Sequence, residues 1–529
     1  MTAPQQRHWD AVVIGSGFGG SMTALKLAEA GIRVLVIERG RWADRDDSAW
    51  DTKVIHIDRK YQSKTPFEAN RLLGPALQYP NETVGGQSVF YGAASFRLRQ
   101  ADFQRLSRAT HEPPSGASFV DWPISYADLA TYYDQAEQML GVVGVAGVDP
   151  TEPPRQSDYV AAPPSYGSPA RCVAEAAKQL GLQPFPIPLA INFNGRDGRK
   201  QCIQCMTCDL FPCKIGAKND LSVTILPEAI RLGAVVKDQT VATRLVRTGG
   251  RITGVELLDL VTGETSAITC DLAVVSAGAI SSAKLLLASG LGNVQPNGPL
   301  IGRYLMRHCT GIVSGFFRSK TNPEQLFHKQ IAITDFYFGH PTGGRPSGPW
   351  GMIQGLQVPP PEFMKTGPLP VAVIGPLTLT HQIFLICIAE DIPSFENRVT
   401  LHTTKRDPFG QPIAKVRYKH HRRDLQVRRA LYREAARILR KAGAVARLRI
   451  PISTFSHALG TCRFGTDPAT AVLDPMCRFW GIPNLFVVDA SFMATSAAVN
   501  PSLTIAANAL RVGEHIVDHW DAAAGSHAK

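Results

Sequence analysis

Three groups of residues in this chain of 529 have types and spacings that can do chemistry. The first is Gly15-Ser16-Gly17-Phe18-Gly19-Gly20, which fits G-x-G-x-x-G. Gly15 permits a tight turn and Gly17 lets backbone approach a pyrophosphate at the positive end of a helix. Gly20 lets helix and strand pack closely. Glu38 follows at the end of the next apolar run, where a carboxylate can accept hydrogen bonds from an adenosine ribose. A glycine loop alone is a weak signal; strand, helix, second strand and acidic terminus together make a dinucleotide site. The loop does not separate FAD from NAD. The second group lies at the other end: His457, then Asn500-Pro501. An imidazole titrates near neutral pH and suits a general base, and a carboxamide can donate to an oxygen on which negative charge builds.

The third group is Cys202-x2-Cys205-x2-Cys208-x4-Cys213. Its first two spacings match a bacterial ferredoxin run, where thiolates hold an iron–sulfur cluster. The last gap is four residues rather than three, and Pro212 precedes the fourth cysteine instead of following it. Zinc knuckles are spread more widely. Iron–sulfur cluster, zinc and a metal-free thiol-rich loop all stay open, and no function is built on this segment.

The elements that must position these groups are legible in outline. Ala11 to Ile14 reads as a strand, Ser21 to Ala30 as a helix and Arg33 to Glu38 as a second strand, a βαβ opening. Tyr126 to Leu140 reads as a helix and Pro150 to Pro169 as a surface connection. Ala234 to Val275 carries a β pattern broken at Gly249-Gly250 and Gly263, with a helix from Ile280 to Ser289 behind it. Between Gly311 and Val416 the signals are mixed, with strands at Ile383 to Ala389 and Arg398 to His402, which favours a separate α+β domain. Leu485 to Val488 reads as a buried strand and Pro501 to His515 as a helix. The length exceeds what one core supports, so two or more domains are expected.

Net charge is +12, and eight Lys or Arg against Asp424 and Glu434 lie between Arg422 and Lys441. Leu425, Leu431, Ala435, Ile438 and Leu439 fall near helical spacing there, so a helix with a solvated basic face is expected; an acidic partner, anionic lipid or anionic substrate is the functional alternative. No nucleic-acid motif accompanies the charge, so nucleic acid is excluded as a partner. The start of the chain does not read as a signal peptide, and the longest apolar candidate, Val371 to Ala389, is broken by Gly375, Pro376 and His381. A soluble cytoplasmic protein without membrane contact or a disulfide framework is expected.

The stretch His457-Ala458-Leu459-Gly460-Thr461-Cys462-Arg463-Phe464-Gly465 resembles the glucose–methanol–choline (GMC) oxidoreductase family. So do Val84-Gly85-Gly86-Gln87-Ser88, Trp122-Pro123-Ile124-Ser125-Tyr126 and Ile301-Gly302-Arg303-Tyr304-Leu305-Met306. Further matches run from Gly278 to Gly292, where Ala283 replaces the usual Pro or Ser, at Glu396 to Leu401, and from Asn484 through Asp489 to Asn500-Pro501-Ser502-Leu503-Thr504. They span nearly the whole chain in order. The resemblance implies an α/β protein: a Rossmann-like FAD-binding domain plus an α+β substrate domain built on an antiparallel sheet. FAD would be bound by residues 1–45, 75–110, 215–310 and 455–529, with 111–214 a Cys-rich connecting or lid region and 311–454 the substrate domain. It also implies oxidation of an alcohol to a carbonyl.

By similarity, His457 is the base and Asn500 its catalytic partner. Gly15, Gly17, Phe18, Gly20, Glu38, Gly85, Gly86, Ser88, Tyr91, Gly278, Asp489, Asn500, Pro501 and Thr504 are expected to line the cofactor. Members with covalently bound flavin place a histidine where this chain has Phe90, so FAD is expected to be non-covalent. Tyr91 stands where many members have asparagine, which leaves open the group at the flavin N5 edge. Several relatives have a second histidine where Asn500 stands; a carboxamide is no base, so proton removal falls to His457. Electrons would pass on to oxygen, a quinone or a redox protein. Two alternatives remain: a flavin-containing non-redox lyase of the same family, and an electron-transfer subunit served by the cysteine cluster. His308 and His515 read as ordinary structural histidines.

Overall fold

A computed structural model describes residues 8–71, 74–109, 114–343, 346–366 and 378–525. Its central sheet is built around the strand His8–Ile14, which pairs in parallel with Val34–Ile37 on one side and Thr265–Val275 on the other. Val235–Lys237 extends the sheet beyond Val34–Ile37, and Leu485–Val487 pairs in parallel with the end of Thr265–Val275. Val34–Ile37 is a continuous apolar run buried on both faces, as a strand inside a parallel sheet must be. The pairing register places Ile14, Ile37, Val275 and Val487 side by side. Four chain segments therefore leave the sheet at one edge, the crevice where open α/β sheets bind ligands.

The first half of Thr265–Val275 pairs instead with the antiparallel meander Thr240–Thr248 and Arg251–Asp259. Where it changes partner, the buried Asn484 carboxamide donates to Ile252 O and Asp271 O and accepts from Ile252 N. That saturates backbone groups which the fork would otherwise leave unpaired. Helices Phe18–Glu29 and Ser502–Asp518 pack together where Gly513 lies against Thr23 and Lys26.

A second sheet of six antiparallel strands runs in the order Ala446–Pro451, Gly311–Phe316, Gln382–Ala389, Gly351–Leu356, Ile331–Ile333, Phe185–Pro186. The helix Arg422–Lys441 covers one face of it, burying Val427, Ala430, Leu431, Ala435, Ile438 and Leu439 at helical spacing. Gly311 and Gly315 permit this approach: a Cβ on Gly311 would overlap the Tyr432 ring. The hairpin Arg398–Arg406 with Pro412–Arg417 pairs with Phe67–Arg71 and Gly74–Gln78 rather than with the six-stranded sheet. Of the apolar run 371–389, residues 371–377 lie outside the described residues and 382–389 form a strand of the second sheet. Among the described residues no helix is long and apolar enough to cross a membrane.

Candidate active site

The segments leaving the parallel strands carry the residues singled out for the cofactor. Gly15 follows Ile14 at φ +102, and a Cβ there would lie 2.2 Å from Ser276 O. A Cβ on Gly20 would lie 1.9 Å from Gly15 O, so this glycine is fixed by helix-to-strand packing. Gly17 differs, because a Cβ there would meet nothing within 4 Å. Gly17 is the N-cap of helix Phe18–Glu29, so open space faces the positive end of a helix, which fits a diphosphate. Gly86 closes on this point from the second glycine motif, its Cβ position 3.0 Å from Gly17 Cα. Glu38 accepts from Ser16 N at 2.9 Å, Ser16 Oγ at 2.6 Å and Gly40 N at 2.8 Å, and Gly85 N donates to the same Ser16 Oγ. One carboxylate thus ties both glycine motifs to the strand end.

Asp489 plays the matching part on the other side. It accepts from Gly278 N and Ser491 N at 2.8 Å each and from the hydroxyls of Ser282 and Ser491. Burial raises its pKa, against the pull of these donors. Ser88 donates to Gly85 O and accepts from Leu221 N, and Thr504 Oγ1 is 2.8 Å from Tyr133 OH, so both hold the site's walls. Tyr91 OH donates to Asn219 O, and its ring lies 5.6 Å from that of Phe18. Phe90 packs in a separate apolar cluster with Tyr61 and Phe211.

His457 is brought in by an antiparallel bridge between Met306 and Leu459. Two residues out along each segment, that register sets His308 opposite His457, with their Nδ1 atoms 3.1 Å apart and ring centroids 5.2 Å apart. His308 therefore does not keep the ordinary structural reading; it touches the proposed base. Its Nε2 lies 2.9 Å from Ser496 O, a pure acceptor, so His308 Nε2 carries hydrogen and His308 Nδ1 does not. His457 Nδ1 must then donate to His308, and His457 Nε2 is left with its lone pair. Burial, with His308 and Lys329 adding to it, pushes the His457 pKa down to about 3. Burial thus favours the neutral ring.

Asn500 Oδ1 accepts from Gln354 Nε2 at 2.6 Å, which turns the Asn500 amide nitrogen, with two donors, away from Gln354. Pro501 follows as the N-cap of helix Ser502–Asp518. Gln354 sits in the strand Gly351–Leu356 and could not be picked out from an apolar run; its role emerges only from pairing. Lys329, which lies on the His457 side, is paired with Asp209 at 3.0 Å.

Asp209 belongs to the cysteine segment. Lys218 pins this segment down, its buried ammonium donating to Tyr91 O, Cys208 O and Phe211 O at 3.0, 2.8 and 2.8 Å. Burial pushes the Cys202 thiol up to about 12 and the Cys208 thiol upward as well. Among the described residues no three sulfurs of Cys202, Cys205, Cys208 and Cys213 come within 4.8 Å of one another. Such trios do occur elsewhere, at His8–Asp10–Asp271 and at Asp391–His420–Asp424.

Residues 75–310 match the N-terminal GMC oxidoreductase family model, residues 393–509 the C-terminal one, and residues 8–50 an FAD binding domain model. The chain is 30% identical over 539 residues to 2-methyl-1,2-propanediol dehydrogenase of Mycolicibacterium austroafricanum, covering 96% of this chain and 95% of that protein. It is 32% identical over 533 residues to paromamine 6'-oxidase of Streptomyces fradiae, covering 96% and 91%. The crystal structure of pyridoxine 4-oxidase from Mesorbium loti superposes with a TM-score of 0.67 at 20% identity, covering 97% of this chain and 99% of that one, a likeness of fold. The chain belongs to the GMC oxidoreductase family and is an FAD-dependent alcohol oxidoreductase.

Proposed function

We propose that this enzyme oxidises a carbinol to a carbonyl with His457 as the general base and Asn500 as the donor that orients the substrate oxygen. The observation that carries this reading is the His308–His457 contact, because it leaves His457 Nε2 as a free proton acceptor. Bound FAD supplies the hydride acceptor. The hydroxyl proton of the substrate passes to His457 Nε2, and a positioned base is worth about 10²–10⁴ in rate. As negative charge builds on the carbinol oxygen, the Asn500 amide N–H, aimed by Gln354, donates to it. Gly17, Gly86 and the helix that begins at Phe18 hold the diphosphate, while Glu38 retains acceptor capacity for a ribose hydroxyl. Phe90 offers carbon alone for attachment, in support of non-covalent FAD.

Anaerobic mixing with a panel of alcohols tests the reading. Bleaching of the flavin absorbance by an alcohol is the expected result. A flavin that stays oxidised while substrate is consumed would instead identify a non-redox lyase.

A further inference from the structure

Two residues beside the proposed base hold a backbone conformation that residues other than glycine rarely adopt: His308 has φ +60 and Ala497 has φ +50. A left-handed residue with a Cβ persists only where its surroundings over-determine it. The two positions are joined, because His308 Nε2 donates to the carbonyl of Ser496, the residue before Ala497, at 2.9 Å. One residue holds both. Asp391, fully buried just beyond the strand Gln382–Ala389, accepts at Oδ2 from Arg307 N, the residue before His308, at 2.7 Å. The Asp391 N–H donates to Ser496 Oγ at 2.8 Å, and that hydroxyl donates back to Asp391 O at 3.2 Å or to Ala497 O at 3.0 Å. Asp391 thus grips the residue preceding each left-handed position. A chain of donors fixes its carboxylate in turn. Arg307 Nη2 can only donate and lies 3.2 Å from His420 Nε2, so the neutral His420 ring carries its hydrogen at Nδ1 and donates to Tyr418 OH at 2.7 Å. Tyr418 OH then donates to Asp391 Oδ2 at 2.5 Å. Arg307 Nη1 donates to Thr454 O at 3.1 Å, three residues before His457, so the same knot reaches the segment that carries the base.

We propose that Asp391 is the positioning residue of the His308–His457 pair: by holding the backbone of Arg307 and Ser496 it keeps His308 in its left-handed conformation and so sets the direction in which His457 Nε2 presents its lone pair to the substrate. Asp391 acts at one remove, through His308. Its effect on the rate is therefore bounded by what the His308–His457 hydrogen bond contributes, about 12-fold at most. This inference rests on the reading of His457 as the base.

The test is a set of double-mutant cycles read by anaerobic flavin reduction, with the limiting rate constant, the substrate dissociation constant and the flavin content measured for each protein. Asp391→Ala, Ser496→Ala and Asp391→Asn are made alone and combined with His308→Ala. Asp391→Ala and Ser496→Ala should each slow the limiting rate about 3- to 12-fold, with the dissociation constant and flavin content within about twofold of wild type. Asp391→Asn keeps an oxygen that accepts from Arg307 N and should stay within about twofold of the wild-type rate. On the His308→Ala background none of the three should change the rate by more than about twofold, because the contact they position is already gone. A loss that persists in full on that background, a loss matched by missing flavin, or wild-type rates in both Asp391→Ala and Ser496→Ala overturns the proposal and leaves His457 as the base. If Asp391→Ala does not fold, Ser496→Ala, which removes only one hydroxyl, decides by the same criteria. Reduction of His457→Ala at the wild-type rate would remove the base itself, and the proposal with it.

Discussion

The His308–His457 pair makes a graded prediction. His308→Ala removes the acceptor that fixes the His457 tautomer. The structure gives this contact one neutral hydrogen bond, and such a bond is worth about 0.5–1.5 kcal/mol net. Flavin reduction by a saturating alcohol should therefore slow about 2- to 12-fold, well short of the loss of about 10² or more expected when the base itself is removed. His308→Asn places an oxygen where Nδ1 stood and should restore the rate to within about threefold. The assay is anaerobic stopped-flow reduction at several pH values, since a positioning role changes the amplitude of the base-dependent rate while a purely structural defect would also lower the flavin content. Two results would refute the reasoning. One is an unchanged rate in His308→Ala. The other is a loss as large as that of His457→Ala, with no recovery in His308→Asn; it would make His308 the base.

The remaining predictions concern the cofactor cradle, the buried acid behind the sheet and the cysteine segment. Gly17→Val should fold, because nothing lies near that Cβ, yet purify with little flavin; Gly20→Val should fail to fold, because Gly15 O already occupies the space. Circular dichroism and the flavin-to-protein absorbance ratio read the two, and a yellow Gly17→Val protein would contradict the diphosphate site. Asp424 is buried beside Asp391, and burial first, then that neighbour, raises its pKa to about 9. A folded-state pKa above the unfolded 3.8 means its stability contribution is complete below about pH 4 and is lost as pH rises through about 9. Asp424→Asn should then gain on wild type in Tm between pH 6 and 9, and parallel Tm curves would reject this. Because no three sulfurs of Cys202, Cys205, Cys208 and Cys213 come within 4.8 Å of one another among the described residues, and burial raises the Cys202 and Cys208 thiols, we expect less than about 0.1 equivalent of iron, sulfide or zinc in the purified protein, and stoichiometric metal would show the segment closing into a cluster.

The parts of the fold and site set by local chemistry were legible, and those set by long-range pairing were not. Gly15, Gly17 and Gly20, the apolar strands and the acidic end at Glu38 announce themselves because period and turn residues are local signals, whereas Asp489 enters only through the family resemblance. The basic helix Arg422–Lys441 spans the residues its apolar spacing indicates. By contrast, helix Phe18–Glu29 starts earlier than its periodicity suggests, since glycines 19 and 20 carry no hydrophobic pattern. His308 carries no local signal even though it follows the motif Ile301 to Met306, because its partner is chosen by the Met306–Leu459 bridge. Gln354 was invisible for the same reason, and Phe185–Pro186 is too short a strand to stand out. The cysteine spacing suggested metal ligation, while the contacts of Lys218 show what else holds that loop.

The most direct test of His457 as the base is single-turnover flavin reduction by an alcohol in wild type and in His457→Ala, both isolated with full flavin. The variant should keep its yellow colour and bleach at least about 10²-fold more slowly. Wild type should show no loss of rate between pH 8 and 6 from protonation of a ring whose pKa is pushed down to about 3. Equal bleaching rates in the two proteins would contradict the assignment.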